Sequence, residues 1–156
     1  MDDVKKFTIK VLQDLIDTNK DEYILFESAS QKSEDAELKL LFAAYSCKKE
    51  EYISGLEKEI KRLGGCSETN KNDAKNSIEF NDSLLNGKTR DNLISEFLKM
   101  GDMTINKYFY AIKENIMWEV VPLIAKQYFG SKSLHDQIKN ISMRKSVRLN
   151  QRTEIR

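Results

Sequence analysis

Apolar residues in the first thirty positions recur every three or four residues, the spacing that places side chains on one face of an α-helix. In "VKKFTIKVLQDLIDTNKDEYILFESAS" this stripe contains Val4, Val11, Leu15, Phe26 and Ala29. Asn19 and Glu22 fall on the same stripe. The pattern therefore predicts a long amphipathic helix whose packed face includes two polar side chains.

A second amphipathic helix is predicted after "KSED", with Ser33 as the N-cap and Glu34 and Asp35 near the positive end of the helix dipole. Its inner face consists of Leu38, Leu41, Phe42, Tyr45, Tyr52, Leu56, Ile60 and Leu63. The helix is expected to end at "RLGG", because a glycine readily adopts the left-handed conformation that closes a helix. The short link between the first two helices favours an antiparallel hairpin.

Residues 66–88 are polar and rich in asparagine, and they predict a long crossover with one short helix around the apolar residues 78–85. Such a link can extend to roughly 75 Å, whereas each flanking helix spans about 40 Å. The crossover is therefore long enough to follow the whole bundle, so that the second and third helices run parallel. This length argues against a simple up-down-up-down topology.

Two further helices follow the crossover. The third is expected to begin near Thr89, with an inner face of Leu93, Phe97, Met100, Gly101, Thr104, Ile105, Tyr108, Ala111 and Ile112. Pro122 marks a helix start or a break. The fourth inner face contains Ile124, Tyr128, Ser131, His135, Ile138 and Ile141. The pattern predicts an all-α four-helix bundle over residues 1–142, followed by a basic C-terminal tail over residues 143–156.

Composition agrees with one water-soluble domain: the chain has 156 residues, 40% hydrophobic and 33% charged. The net charge of +1 gives no overall attraction to nucleic acid or membranes. No apolar stretch has the length of a signal peptide core or a membrane span, so we expect neither. Cys47 and Cys66 are expected to be reduced thiols in a cytoplasmic protein.

Several segments resemble a bacterial ferritin-like family of unknown function. "VLQDLIDTNKDEYILFESASQKSEDAELKLLF" and "GLEKEIKRLGG" resemble its first helical hairpin, and "LKMGDMTINKYFYAI" is similar to its third helix. "KQYFGSKSLHDQIKN" resembles its fourth helix, including the pair His135 and Asp136. The resemblance extends over nearly the whole chain and implies a ferritin-like four-helix bundle. A shared fold does not by itself imply a shared activity.

A ferritin-like di-iron centre needs a glutamate from each of two helices and Glu-x-x-His from each of the other two. His135 is the only histidine, and Lys132 stands three residues before it, so the chain has no Glu-x-x-His pair. The resemblance also places Ile24, Lys48 and Lys99 where the family tends to have acidic residues. We therefore expect that the intact di-iron site is absent and that no cofactor is bound.

A reduced metal site is the alternative. It would bind iron or a similar cation through Glu22, Asp102 and His135, with Glu50 or Glu51 from the second helix. This arrangement would make the protein a metal-binding or oxidase-type relative of the ferritins.

The favoured interpretation assigns these residues structural roles. A buried carboxylate is costly unless it is paired, and Lys48 and Lys49 lie beside the matching stripe of the second helix. We expect one of them to neutralise Glu22. We expect His135 to lie at the rim of the core, hydrogen-bonded to Asp136 or to a tyrosine.

Four arginines at the C-terminus are spaced four residues apart, which in a helix forms one positive stripe: Arg144, Arg148, Arg152 and Arg156. The favoured interpretation is a solvated tail or one that clamps a second subunit. The alternative is a contact with an anion, either nucleic acid or acidic lipid.

The segment "KYFYAIKENIMW" contains three consecutive aromatic residues, Tyr108, Phe109 and Tyr110, which project about 100° apart on a helix. They cannot all face one inner stripe, so either the crossover or a second subunit is expected to cover the outer rings. The whole pattern predicts a non-enzymatic interaction, structural or stress-associated module, with a homodimer as the favoured oligomer.

Overall fold

The computed structural model describes residues 2–67 and 90–154, with side chains as far as Arg144. This part of the chain is helical and contains no strand, which confirms the all-α prediction. A 3-10 turn at Trp118–Val120 precedes the last helix. The four long helices are α1 (Asp3–Lys32), α2 (Ala36–Arg62), α3 (Arg90–Lys113) and α4 (Val121–Glu154). The crossover predicted over residues 66–88 lies almost entirely outside the described residues.

The predicted cap of α2 needs a correction. Ser33 closes α1, because its backbone N–H donates to the carbonyl oxygen of Ala29. Asp35 is the N-cap of α2, and its carboxylate accepts hydrogen bonds from the backbone N–H groups of residues 37 and 38. The chain must turn before α2 can begin, so the cap falls two residues later than predicted. Gly64 has a φ of 84°, which confirms the predicted left-handed glycine after α2.

Contacts between the helices give their relative directions. Asn19 and Glu22 of α1 bond to Tyr108 and Thr104 of α3 respectively, so these two helices are antiparallel. Tyr45 and Lys49 of α2 bond to Gln137 and Ser131 of α4 respectively, so these two helices are antiparallel as well. Since α1 and α2 form an antiparallel hairpin, α2 and α3 run in the same direction. No helix in the described residues has the length and hydrophobicity needed to cross a bilayer.

The core consists of two apolar clusters with a polar layer between them. One cluster, near the start of α1, contains Leu12, Leu15, Ile16, Leu56, Ile60, Leu63, Tyr108, Ala111, Ile116, Val120 and Ile124. The other, near its end, contains Leu25, Phe26, Ala29, Leu38, Phe42, Tyr45, Ile94, Phe97, Ile138 and Ile141. The buried polar side chains between them are Asn19, Glu22, Lys49, Thr104, Gln127 and Ser131. The apolar packing thus fixes the helices on both sides of this layer.

Candidate functional site

An ion pair lies at the centre of the polar layer. Nζ of Lys49 in α2 is 3.3 Å from Oε1 of Glu22 in α1, and both side chains are almost fully buried. The neighbouring Lys48 points outward and pairs with Glu51 at the surface. The prediction that a lysine of α2 neutralises Glu22 is therefore confirmed, with Lys49 as the partner. In the interior, such a pair needs further hydrogen bonds to offset the loss of hydration.

Those further contacts come from the other two helices. The Thr104 hydroxyl of α3 donates to Oε1 of Glu22 at 2.6 Å. Nζ of Lys49 donates to Oγ of Ser131 in α4 at 3.3 Å and lies 5.4 Å from the centroid of the Tyr52 ring. Each of the four helices therefore contributes at least one side chain to the charged centre. This arrangement couples the packing of the two helical hairpins.

A neutral hydrogen-bond network lies next to the ion pair. Nδ2 of Asn19 donates to the carbonyl oxygen of Leu15 and to the Tyr108 hydroxyl, each at 2.7 Å. The Tyr108 hydroxyl donates to Oε1 of Gln127, whose amide nitrogen donates to the carbonyl oxygen of Tyr52. Burial raises the pKa of Tyr108 above its usual value, so the phenol remains protonated and able to donate. The network explains why Asn19 interrupts the apolar stripe of α1.

Gln127 was missed by the sequence analysis, although its spacing gave a usable signal. It precedes Ser131 by four residues and therefore lies one helical turn away on the same inner face of α4. Both side chains are buried. The spacing therefore indicates that Gln127 faces inward, and the structure adds that its partner is the Tyr108 hydroxyl.

His135 lies at the rim of this centre, with its side chain 15% exposed. Its Nε2 is 3.0 Å from Oδ1 of Asp102 and 3.2 Å from the carbonyl oxygen of Leu98, both in α3. The prediction of a hydrogen-bonded rim histidine is right, but the predicted partner was Asp136 or a tyrosine. Asp136 follows His135 on α4 and is exposed, so its side chain points away from α3.

A glycine makes the approach of His135 to α3 possible. A Cβ atom on Gly101 would lie 2.7 Å from Cδ2 of His135, closer than such atoms approach. Gly101 and His135 line a cavity of about 10 Å³ together with Glu22, Lys49, Thr104 and Ser131. A cavity of this size holds about one water molecule.

The three candidate metal ligands are brought together only in part. His135 contacts Asp102, but the Asp102 side chain is 67% exposed and does not line the cavity that His135 shares with Glu22. Glu50 and Glu51 both face solvent. Among the described residues, no three His, Cys, Asp or Glu side chains are grouped to hold a metal ion. With one carboxylate and an ammonium group at the centre, the donor set does not fit a di-iron site.

The arginine tail is described only at its start. Arg144 lies 3.6 Å from Glu37, and both side chains are largely exposed. The backbone of α4 continues as a helix to residue 154. The side chains of Arg148, Arg152 and Arg156 lie outside the described part, so anion binding by the tail stays a prediction.

A continuous row of aromatic rings lies on the outer side of the α3–α4 hairpin. We name it the ring surface and define it as Phe109, Tyr110, Tyr128 and Phe129. The ring centroids are 5.9 Å apart between Tyr110 and Phe109, 6.3 Å between Phe109 and Tyr128, and 5.2 Å between Tyr128 and Phe129. Tyr110 and Phe129 are 64% and 65% exposed, whereas Tyr108 is fully buried. The prediction that the three consecutive aromatic residues cannot all face inward is confirmed.

Gly130 gives a first testable prediction about the centre. A Cβ atom there would overlap the Tyr52 hydroxyl, whose ring contacts Lys49. We expect Gly130→Ala to lower the free energy of unfolding by about 1–3 kcal/mol, as overpacking does. Gly55→Ala is the matched control, since its nearest neighbour would be 3.4 Å away, and it should stabilise α2 by up to about 1 kcal/mol. Urea unfolding followed by circular dichroism measures both, and equal effects would contradict the prediction.

Comparisons with known proteins give a family but no activity. No curated protein matches the chain. The model of the family described as "Domain of unknown function (DUF2383)" matches residues 7–114, well over half of the sequence. The matched part includes most of α1 and all of α2 and α3, and therefore Glu22, Lys49 and Asp102, whereas Ser131 and His135 of α4 lie beyond it. The chain belongs to the family of the domain of unknown function DUF2383.

Proposed function

We propose that this protein is a non-enzymatic, ferritin-like four-helix module of the cytoplasm that works by association, first of all with a second copy of itself. The shared direction of α2 and α3 supports a ferritin-like topology, because that bundle has one long crossover between parallel helices. The ion pair in the interior supports a structural centre over a catalytic one. A role in stress responses is part of the same proposal.

The ring surface is the observation that carries the association. Exposed aromatic rings are enriched at the centre of protein interfaces, where they bury a large area and lose little side-chain entropy. Nζ of Lys113 lies 4.0 Å from the Phe109 centroid, and Nζ of Lys132 lies 5.5 Å from the Tyr128 centroid. The surface therefore has an aromatic middle flanked by charged groups. In a dimer with two-fold symmetry, the same patch of each copy would contact the other.

The metal-binding or oxidase-type alternative has less support, since the charge of Glu22 is already balanced by Lys49. Elemental analysis after anaerobic incubation with ferrous iron and desalting tests it directly. We expect only background iron in the wild type and in His135→Ala. Stoichiometric iron in the wild type that is lost in His135→Ala would favour the alternative.

Association through the ring surface predicts a specific effect of one charge. We expect the wild-type chain to sediment as a dimer in a concentration series, and Phe129→Lys to sediment as a monomer. A lysine at this position would have to lose its hydration without a partner when the aromatic patch is buried in the dimer. Analytical ultracentrifugation measures both masses.

Leu40→Lys is the matched control, because Leu40 is 74% exposed and lies on α2, away from the ring surface. This variant should remain a dimer. A monomeric wild type, or equal dissociation of the two variants, would contradict the proposal.

A further inference from the structure

A groove of about 650 Å³ lies between residues 7–21 of α1 and residues 107–114 of α3. We propose that it binds the arginine-rich end of α4 from a second copy of the chain. This contact joins the side of one copy to the end of another, whereas the ring surface would join two equivalent faces. The groove includes Tyr110 of the ring surface, but binding of the tail does not depend on a dimer formed through that surface.

The groove has an apolar floor. Leu15 and Ala111 are buried at its base, and Val11 lies beside them on α1. Phe7 and Tyr110 also line it, and they are 38% and 64% exposed. Its volume is within the usual range for ligand sites in proteins. An apolar groove between two helices is a surface into which a further amphipathic helix packs.

The edges of the groove are acidic. Asp14, Asp17 and Asp21 are exposed and lie at positions i, i+3 and i+7, so they follow one face of α1 for about 10 Å. Glu114 of α3 is exposed on the other side. Two lysines also line the groove, so four carboxylates are accompanied by two ammonium groups. The groove therefore carries a net negative charge and is complementary to a basic partner.

The end of α4 extends beyond the bundle. Arg144 lies beside Glu37 in the first turn of α2, whereas the backbone of α4 continues as a helix to Glu154. Because α4 and α2 are antiparallel, about ten residues of α4, or roughly 15 Å, continue past the start of α2. This length of helix is sufficient to follow the row of aspartates in the groove.

The residue types of the tail match those of the groove. Arginines recur every four residues from Arg144 to Arg156, and Val147 and Ile155 each precede one of them. In a helix, arginines at this spacing are about one turn apart, as are the three aspartates along α1. The pattern predicts a helix face that combines positive charge with apolar groups, which suits an apolar floor with acidic edges.

The tail that fills the groove comes from another copy. α1 and α4 run in the same direction, since each is antiparallel to α3. The tail therefore leaves the bundle at the end where α1 ends, whereas the groove lies along residues 7–21, toward the start of α1. Each tail thus leads away from its own groove. Exposed ion pairs contribute little individually, so the contact is weak and joins copies at high local concentration.

The experiment measures binding of a fluorescein-labelled peptide of residues 143–156 to the full-length chain by fluorescence anisotropy. We expect saturable binding that weakens with rising ionic strength. Asp14→Lys places a positive charge at the edge of the groove and should weaken binding by about tenfold or more. Asp136→Lys is the matched control, because it makes the same change at an exposed position of α4 outside the groove. It should bind within about twofold of the wild type.

Further controls make the result specific. Asp14 is exposed, so its variant should fold, and Asp21→Lys repeats the test at a second position of the same row. A peptide of the same composition with consecutive arginines keeps the charge but not the spacing, and it should bind more weakly. Phe129→Lys should bind the peptide as the wild type does, so the result remains interpretable if no dimer forms through the ring surface.

Four outcomes would overturn the proposal. The first is no saturable binding, and the second is equal binding by Asp14→Lys and Asp136→Lys. The third is equal binding of the two peptides, which would indicate attraction by charge alone. The fourth is loss of binding in Phe129→Lys, which would place the tail on the ring surface and not in the groove.

Discussion

Lys49→Ala is expected to lower the free energy of unfolding by about 3–5 kcal/mol, the cost of leaving a buried charge without its partner. Glu22 is 3% exposed and would keep only the hydrogen bond from Thr104. Ser131 would lose its donor as well. Such a loss is a large share of the stability of a single domain, so the variant should unfold at a clearly lower urea concentration.

Two variants separate the effect of burial from that of charge. Lys48→Ala removes the adjacent lysine, whose ion pair with Glu51 is at the surface, and should change stability by less than about 1 kcal/mol. Glu22→Gln/Lys49→Met removes both charges and keeps an acceptor for Thr104, so it should recover much of the loss. If Lys49→Ala were no worse than Lys48→Ala, the pair would not be a central part of the fold.

Phe97→Ala is expected to cost about 3–5 kcal/mol, the range for removing a buried aromatic ring. The Phe97 ring is 1% exposed, stacks on Phe26 with a centroid distance of 5.0 Å and packs at a tilt against Phe42 with a centroid distance of 4.7 Å. It also lines the cavity next to Glu22. Its removal would therefore open a void against the ion pair and admit water to it.

Chemical unfolding in dilute solution measures this effect. Phe129→Ala removes the same side chain from a position that is 65% exposed, and its effect on the monomer should stay within about 0.5 kcal/mol. Equal losses of stability in the two variants would show that the buried rings of Phe26, Phe42 and Phe97 are not tightly packed. A loss near zero in Phe97→Ala would have the same meaning.

The pairing of Glu22 shows how far sequence reasoning reaches into the site. Its place on an apolar stripe predicted burial, and burial of a carboxylate requires a partner. Two lysines stood near the matching stripe of α2, and helical rotation by about 100° between them separates the buried Lys49 from the exposed Lys48. The sequence therefore predicts an ion pair with Glu22, but it does not show whether Lys48 or Lys49 forms it.

The partner of His135 shows where such reasoning stops. Asp136 was the nearest acid in sequence, yet the contact is with Asp102, more than thirty residues away on α3. That contact depends on the register of α4 against α3 and on the close approach that Gly101 allows. Hydrophobic periodicity defines the inner face of each helix but not the axial offset between two helices.

The sequence alone was enough to predict the four long helices, many of the residues on their inner faces, the glycine end of α2 and the need for charge compensation inside the bundle. These features follow from local spacing and from the cost of burying charge, and both can be read along one chain. The tertiary structure alone decided that Thr104, Ser131 and Gln127 complete the polar layer, and that the rings of Phe109 and Phe129 share one outer surface. Hydrogen bonds and ring contacts between helices depend on relative position to within about 1 Å, which side-chain periodicity does not encode.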